Sequence, residues 1–210
     1  MTERGSLIVL SGFSGVGKGT VLRLMMSRYD HYAYSVSATT RQPRAGEVDG
    51  KDYFFKSTKE FESMIERGEL LEYARYVDHY YGTPRAYVRQ QMESGRDVIL
   101  EIEVQGALNI RRMVPEAVLI YMLPPDASTL TGRLRGRGTE TADVIRGRLK
   151  AAAGEARHIG DYDYVIVNDD AEQCAVRLNG LIEAQRLRTA RNLPFIKAIQ
   201  EGLEREAREN

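Results

Sequence analysis

Leu7-Ile8-Val9-Leu10-Ser11-Gly12-Phe13-Ser14-Gly15-Val16-Gly17-Lys18-Gly19-Thr20 is the stretch that decides the fold: an apolar run, a glycine-rich turn ending in lysine, then helix-forming residues. The apolar run is short and bounded by a glycine, as a buried strand is. The G-x-x-x-x-G-K pattern set between a strand and a helix is a phosphate-binding loop. Gly12, Gly15 and Gly17 let the backbone curl so that successive N–H groups face phosphate oxygens, while the next helix points its positive end at the same anion. Lys18 adds a mobile positive charge. A glycine-rich linker without a ligand is the bland alternative, and the lysine in register after a strand argues against it.

Working outward, further apolar runs at 98–102, 117–123 and 164–167 read as buried strands, and amphipathic helices are expected at 20–29, 84–94, 105–113, 127–135, 142–158 and 171–189. Strands that alternate with helices imply right-handed crossovers and a mostly parallel sheet covered on both faces. The class is α/β, a three-layer α/β/α phosphate-loop fold.

Two stretches break the alternation. Residues 35–83 hold a turn-rich basic run, a strand at 53–55 and a helix opened by the Ser57-x-x-Glu60 capping box. Residues 133–148 are rich in arginine and contain Gly136, Gly138 and Gly147, which suits a charged flap hinged on flexible residues. In the run Val98-Ile-Leu-Glu101-Ile-Glu103-Val-Gln105, the two-residue strand period places Ile99, Glu101, Glu103 and Gln105 on one face. Carboxylates near the C-terminal end of such a strand are placed to meet a ligand or a hydrated cation; a solvated strand face is the alternative. Arg41 and Arg44 flank Pro43, whose ring fixes the local backbone, and two guanidinium groups on a stiff loop suit a second phosphate. Tyr53, Tyr80 and Tyr81 add rings and hydroxyls at the ends of the same insertion.

The 210 residues carry 30 basic and 30 acidic side chains, so no net field draws the whole chain to nucleic acid or an anionic membrane. One cysteine, Cys174, excludes an internal disulfide and reads as a core thiol. His31, His79 and His158 are far apart and match no metal-ligand spacing. The opening apolar run is too short for a signal-peptide core or a membrane span, so a cytoplasmic protein is expected. From residue 186 onward the chain is charged and helix-prone, with Pro194 expected to interrupt the helix.

The phosphate loop, TTRQPRAGEVDGKDYFF, LLEYARYVDHYYGT, VILEIEVQGA, LRGRGTET and YDYVIVNDD, taken together and in this order, resemble the guanylate kinases over residues 7–188. The resemblance implies a domain at 5–188, with a core at 5–34, 84–126 and 160–188, a GMP-binding insertion at 35–83 and a lid at 127–159, followed by a charged tail at 189–210. It implies transfer of the γ-phosphoryl group of Mg·ATP to GMP, giving GDP and ADP. ATP is then expected on Gly12, Phe13, Ser14, Gly15, Val16, Gly17, Lys18, Gly19 and Thr20, with Asn168 at the base. For GMP the resemblance implies Ser37, Arg41, Arg44, Glu47, Tyr53, Glu72, Tyr81, Thr83 and Glu101. Arg41, Arg44, Tyr53 and Tyr81 would hold its phosphate, Glu47 would brace the arginines, and Glu72 would accept from guanine N1–H and the 2-amino group. Lys18, Arg41, Arg137 and Arg148 would be the catalytic cations. Adenine offers neither donor to Glu72, so a buried carboxylate there would be left unpaired by the wrong base.

Several positions depart from the family pattern: Phe13 for a frequent proline, Ala38 for a frequent serine, Thr83 for serine, and Glu101 and Glu103 for aspartates. Gly19 stands where the loop motif has the Ser/Thr that touches Mg²⁺, with Thr20 one place later, so Mg²⁺ is expected through the ATP phosphates and water. Two rivals remain at this point: a kinase of the same group with another acceptor, and an inactive guanylate-kinase-like binding module. Glu72 with Ser37 and Thr83 opposes the first, and the presence of Lys18, Arg137 and Arg148 opposes the second. Oligomeric state is not assigned, and neither nucleic acid nor membrane is expected as a partner.

Overall fold

The computed structural model describes residues 4–76, 78–136 and 141–209. In chain order the elements are β1 (Leu7–Gly12), α1 (Lys18–Arg28), β2 (Tyr32–Tyr34), β3 (Ala38–Thr39), β4 (Phe54–Phe55), α2 (Thr58–Glu66), β5 (Leu70–Tyr76), β6 (His79–Pro84) and α3 (Arg85–Glu93). They continue with β7 (Asp97–Glu101), α4 (Val104–Met113), β8 (Val118–Leu123), α5 (Ala127–Gly136), α6 (Ala142–Glu155), β9 (Tyr164–Val167), α7 (Ala171–Arg186) and α8 (Leu193–Glu209).

Five strands form one sheet in the order β2-β7-β1-β8-β9, every pairing parallel. A parallel sheet needs cover on both faces, and β1 shows how it is supplied. Its side chains alternate: Ile8 and Leu10 enter a core shared with Val21, Met25, Leu130, Leu134, Leu178 and Ile182 of α1, α5 and α7. Leu7 and Val9 enter the opposite core with Val88, Met92, Ala107 and Ile110 of α3 and α4. Cys174 is fully buried in the first core, and burial pushes its thiol up to about 11, so it is an inert packing group.

The small sheet of the 35–83 insertion has the order β4-β3-β6-β5 and its own core of Ala38, Phe61 and Leu70, with Phe61 stacked on Tyr80 at 5.2 Å between ring centroids. The capping box is formed: Glu60 N–H donates to Ser57 Oγ at 3.2 Å, and Ser57 N–H donates to Glu60 Oε2 at 2.8 Å. The β5–β6 register shifts between Leu70 and Tyr73, a bulge that contains Leu71 and Glu72. A bulge re-aims side chains, and here Leu71 goes to the core of the large sheet while Glu72 turns toward β6.

Three expectations are corrected. Strand β7 ends at Glu101; Glu103 is the extended N-cap residue of α4 (φ −72, ψ 163) and Gln105 is helical, so only Ile99 and Glu101 share a strand face. The cause is α4 itself, which must start at Val104 for Val104, Ala107 and Ile110 to be buried. Gly147 lies inside α6 and is no hinge, while Gly138 is outside the described residues. Pro194 opens α8 instead of interrupting it, because a proline in the first helical turn removes an N–H that has no helical partner there.

Candidate active site

Strand β1 lies between β7 and β8, and the chain leaves it in the phosphate loop above the C-terminal ends of the strands, where open α/β sheets bind ligands. The loop's glycines are set by close approach as well as by turning. Gly15 and Gly17 have φ of 85 and 100, and a Cβ on them would stand 2.7 Å from Leu134 Cδ2 and 2.6 Å from Asn168 Nδ2. Lys18 Nζ donates to Gly12 O at 2.6 Å, which folds the ammonium back over the loop. Phe13 turns inward, edge-on to Tyr121 with centroids 5.3 Å apart, so it anchors the loop by packing. Gly19 has open space around it, and Thr20 is exposed, its Oγ1 accepting from Arg23 at 3.4 Å.

Side chains from distant parts of the chain brace this loop. Asn168, after β9, is buried and donates from Nδ2 to Val16 O at 2.8 Å, while its Oδ1 has no partner among the described residues. Arg133 of α5 donates to Val16 O at 3.0 Å and to Asn168 O at 2.9 Å. Arg148 of α6 donates to Ser14 Oγ, bringing a second cation to the loop's rim. Arg137 lies outside the described residues. Arg133 was passed over in the sequence as one of several arginines; its partners are carbonyls 35 and 117 residues away, which no local pattern reveals.

The insertion presents the second half of the site. Glu47 holds Arg41 with two bonds, Nη1–Oε2 at 2.9 Å and Nη2–Oε1 at 2.8 Å, and also accepts from Arg44 N–H at 2.7 Å. These bonds hold the Glu47 carboxyl below its ordinary range, the Arg41 side chain contributing most. The Arg41 guanidinium lies 5.2 Å from the Tyr53 ring centroid, and Tyr53 meets Tyr81 edge-on at 6.1 Å. Ser37, Tyr53, Tyr34 and Glu101 line a cleft of about 90 Å³ between the two sheets. Tyr34 OH donates to Glu101 Oε2 at 3.0 Å, an engagement missed in the sequence because β2 is only three residues long.

Glu72 lies on the bulge and is half-buried. Its Oε1 accepts from Thr83 Oγ1 at 2.8 Å, and its Oε2 is 3.2 Å from where a Cβ on Gly106 would stand, so the carboxylate rests against the first turn of α4. Burial pushes its carboxyl upward, with the Thr83 hydrogen bond opposing the shift. Two larger cavities, of about 520 and 550 Å³, open around Leu7 and Met92 at the other end of the strands and contain none of these residues.

A phosphate loop at the C-terminal ends of the large sheet, with a braced arginine clamp and a half-buried carboxylate on the insertion, is the set of parts expected of the family named above, and comparison with known proteins agrees. The family model described as guanylate kinase matches residues 4–185. The chain belongs to the guanylate kinase family. It is 53% identical to a guanylate kinase of Lactococcus lactis over 191 residues, 91% of this chain and 93% of that protein. It is 54% identical to one of Streptococcus thermophilus over 192 residues, 91% and 92% of the two chains. The crystal structure of guanylate kinase from Anaplasma phagocytophilum superposes with a TM-score of 0.72 at 33% identity, covering 93% of this chain and 94% of that one. Family membership makes the protein a phosphotransferase of the nucleoside monophosphate kinase class. No helix among the described residues is long and apolar enough to cross a membrane.

Proposed function

We propose that the protein transfers the γ-phosphoryl group of Mg·ATP to GMP, and that it does so in the cytoplasm. The observation that carries this reading is the Glu72–Thr83 pair: a half-buried carboxylate oriented by a hydroxyl, on the same insertion as the braced arginine clamp. The loop N–H groups, the α1 N-terminus and Lys18 would hold the ATP phosphates. Asn168 Oδ1, buried and without a partner among the described residues, supports its assignment to the ATP base as an acceptor for an exocyclic amine.

The acceptor is itself an anion, so the chemistry is in-line displacement without a covalent enzyme intermediate, and the protein supplies position and charge. Glu47 fixes the Arg41 fork, leaving its remaining N–H groups and those of Arg44 for the GMP phosphate. With Tyr53 and Tyr81 beside them, these groups would hold two phosphates near each other against their repulsion. Lys18 and Arg148, with Arg137, would offset the charge that develops on the moving phosphoryl group. The oxygen donors at this end of the sheet, Thr20, Glu101 and Glu103, suit a hard cation such as Mg²⁺, held through water and ATP phosphates. When bound, Mg²⁺ supplies charge neutralisation on the β- and γ-phosphates. The elements at 35–83 and 127–159 are assigned the roles of GMP-binding part and lid, closing over the substrates to exclude water.

The test is ADP formation from Mg·ATP with GMP, dGMP, AMP, CMP and UMP as acceptors. Turnover with GMP far above AMP is expected; no turnover with any acceptor by folded protein overturns the reading.

A further inference from the structure

Most helical glycines of this chain stand in open space: a Cβ added to Gly132 of α5, Gly147 or Gly154 of α6, or Gly180 of α7 would meet nothing within 4 Å. Gly106, in the first turn of α4, is buried, and among the described residues it is the helical glycine with close neighbours. A Cβ there would stand 3.2 Å from Glu72 Oε2 and 3.2 Å from Ile102 Cδ1. The backbone at Gly106 is ordinary right-handed helix, where alanine is the better helix former. Nothing in its conformation calls for glycine, so the reason for glycine is what it admits.

At 3.2 Å one of the two atoms must give by a few tenths of an ångström. Ile102 can, because its Cδ1 is the end of a flexible side chain. Glu72 is held from the other side: Thr83 Oγ1, itself fully buried, donates to Glu72 Oε1 at 2.8 Å. The bulge backbone is held too. The Glu72 carbonyl oxygen would lie 2.9 Å from a Cβ on Gly82 of β6, so the bulge rests on a second glycine. Next to it Leu71 packs in the core that contains Ala107 and Ile110 of α4. The carboxylate therefore sits between Thr83 of the insertion and the first turn of a helix that belongs to the large sheet.

We propose that Gly106 is a specificity-determining position: by having no side chain, it lets the Glu72 carboxylate lie against α4 at the place where it meets the acceptor base. The inference rests on the assignment of Glu72 to guanine given above. Gly106 is a positioning residue that acts through Glu72. A displacement of a few tenths of an ångström is enough to matter, because paired hydrogen bonds to one carboxylate depend on distance and angle together.

The test measures kcat/KM for GMP and for AMP, and KM for ATP, in Gly106→Ala. A fall of about tenfold for GMP is expected, with AMP and ATP unchanged, so the preference for GMP over AMP narrows by about tenfold. A loss that runs through Glu72 vanishes once Glu72 no longer recognises the base: in a Glu72→Gln background, Gly106→Ala should change kcat/KM for GMP by less than about twofold. Ile102→Val removes Cδ1 and clears that side of the added methyl group. Gly106→Ala with Ile102→Val should therefore fold as the wild type does, by circular dichroism, and still show the loss for GMP, which separates displacement of Glu72 from poor packing. An unchanged preference for GMP, a loss that persists in the Glu72→Gln background, or one that Ile102→Val restores each overturns the proposal. Wild-type protein that phosphorylates no GMP defeats the functional reading and this inference with it, whereas GMP turnover with the preference intact in Gly106→Ala defeats this inference alone.

Discussion

In the phosphate loop the groups that face an anion are backbone N–H groups, shaped by Gly15 and Gly17 pressing against Leu134 and Asn168. In the 35–83 insertion the candidate ligand groups are side chains, and each is held by another side chain: Arg41 by Glu47 and Glu72 by Thr83. The first arrangement recognises any polyphosphate, since backbone amides carry no information about a base. The second can discriminate, because a partly desolvated carboxylate favours a base that donates to it. On the proposed reading, specificity would reside on a two-residue bulge in the smaller sheet.

The sharpest break of this comparison is on the phosphate side. Lys18→Ala is expected to lower kcat by about 10³-fold, with the fold intact by circular dichroism, because it removes the mobile charge at the transferring group. Next is Glu72→Gln, which keeps an acceptor for Thr83 and loses the charge; kcat/KM for GMP should fall by about 100-fold while KM for ATP barely moves. Equal losses for both substrates would show that the two regions are not separate recognition units.

Glu72 also makes a prediction about pH. Its folded carboxyl is raised by burial, so the folded state holds its proton more tightly than the unfolded chain does. Ionisation of this group therefore costs stability, and the cost appears as pH rises from the ordinary carboxylate range through the raised value. Glu72→Gln should accordingly raise Tm at neutral pH, with the gain vanishing in acid. GMP turnover needs the ionised form, so kcat/KM for GMP should decline with falling pH at a higher pH than an unperturbed carboxylate would give. Gly17→Ala, which strains a positive φ and meets Asn168, should raise KM for ATP by about tenfold and destabilise by about 1–2 kcal/mol. The smallest effect expected is for Glu47→Gln: a rise of about fivefold in KM for GMP, as the Arg41 fork loses its brace.

The strand–loop–helix unit and the alternating α/β rhythm were legible because their signals are local: apolar period, glycine spacing, a lysine in register. Ser57 and Glu60 were legible for the same reason. Strands β2 and β3 were not, being three and two residues long and held by pairing with β7 and β6. The bulge at Leu71–Glu72 leaves no mark in composition. Val16 and Asn168 meet across 152 residues, so the sequence carries each residue but not their contact. Pro194 misled because a proline two residues later in the pattern would break a helix that here it begins.

The position of β1 has a consequence for how the protein is made. The first strand occupies the middle of the sheet, yet its partners are Val98–Glu101 of β7 and Val118–Met122 of β8. At about 5–20 residues per second, synthesis leaves Leu7–Leu10 without either neighbour for about 5 to 18 s after it is made. During that interval an apolar segment has both strand edges unpaired, the kind of surface that invites aggregation before folding is complete.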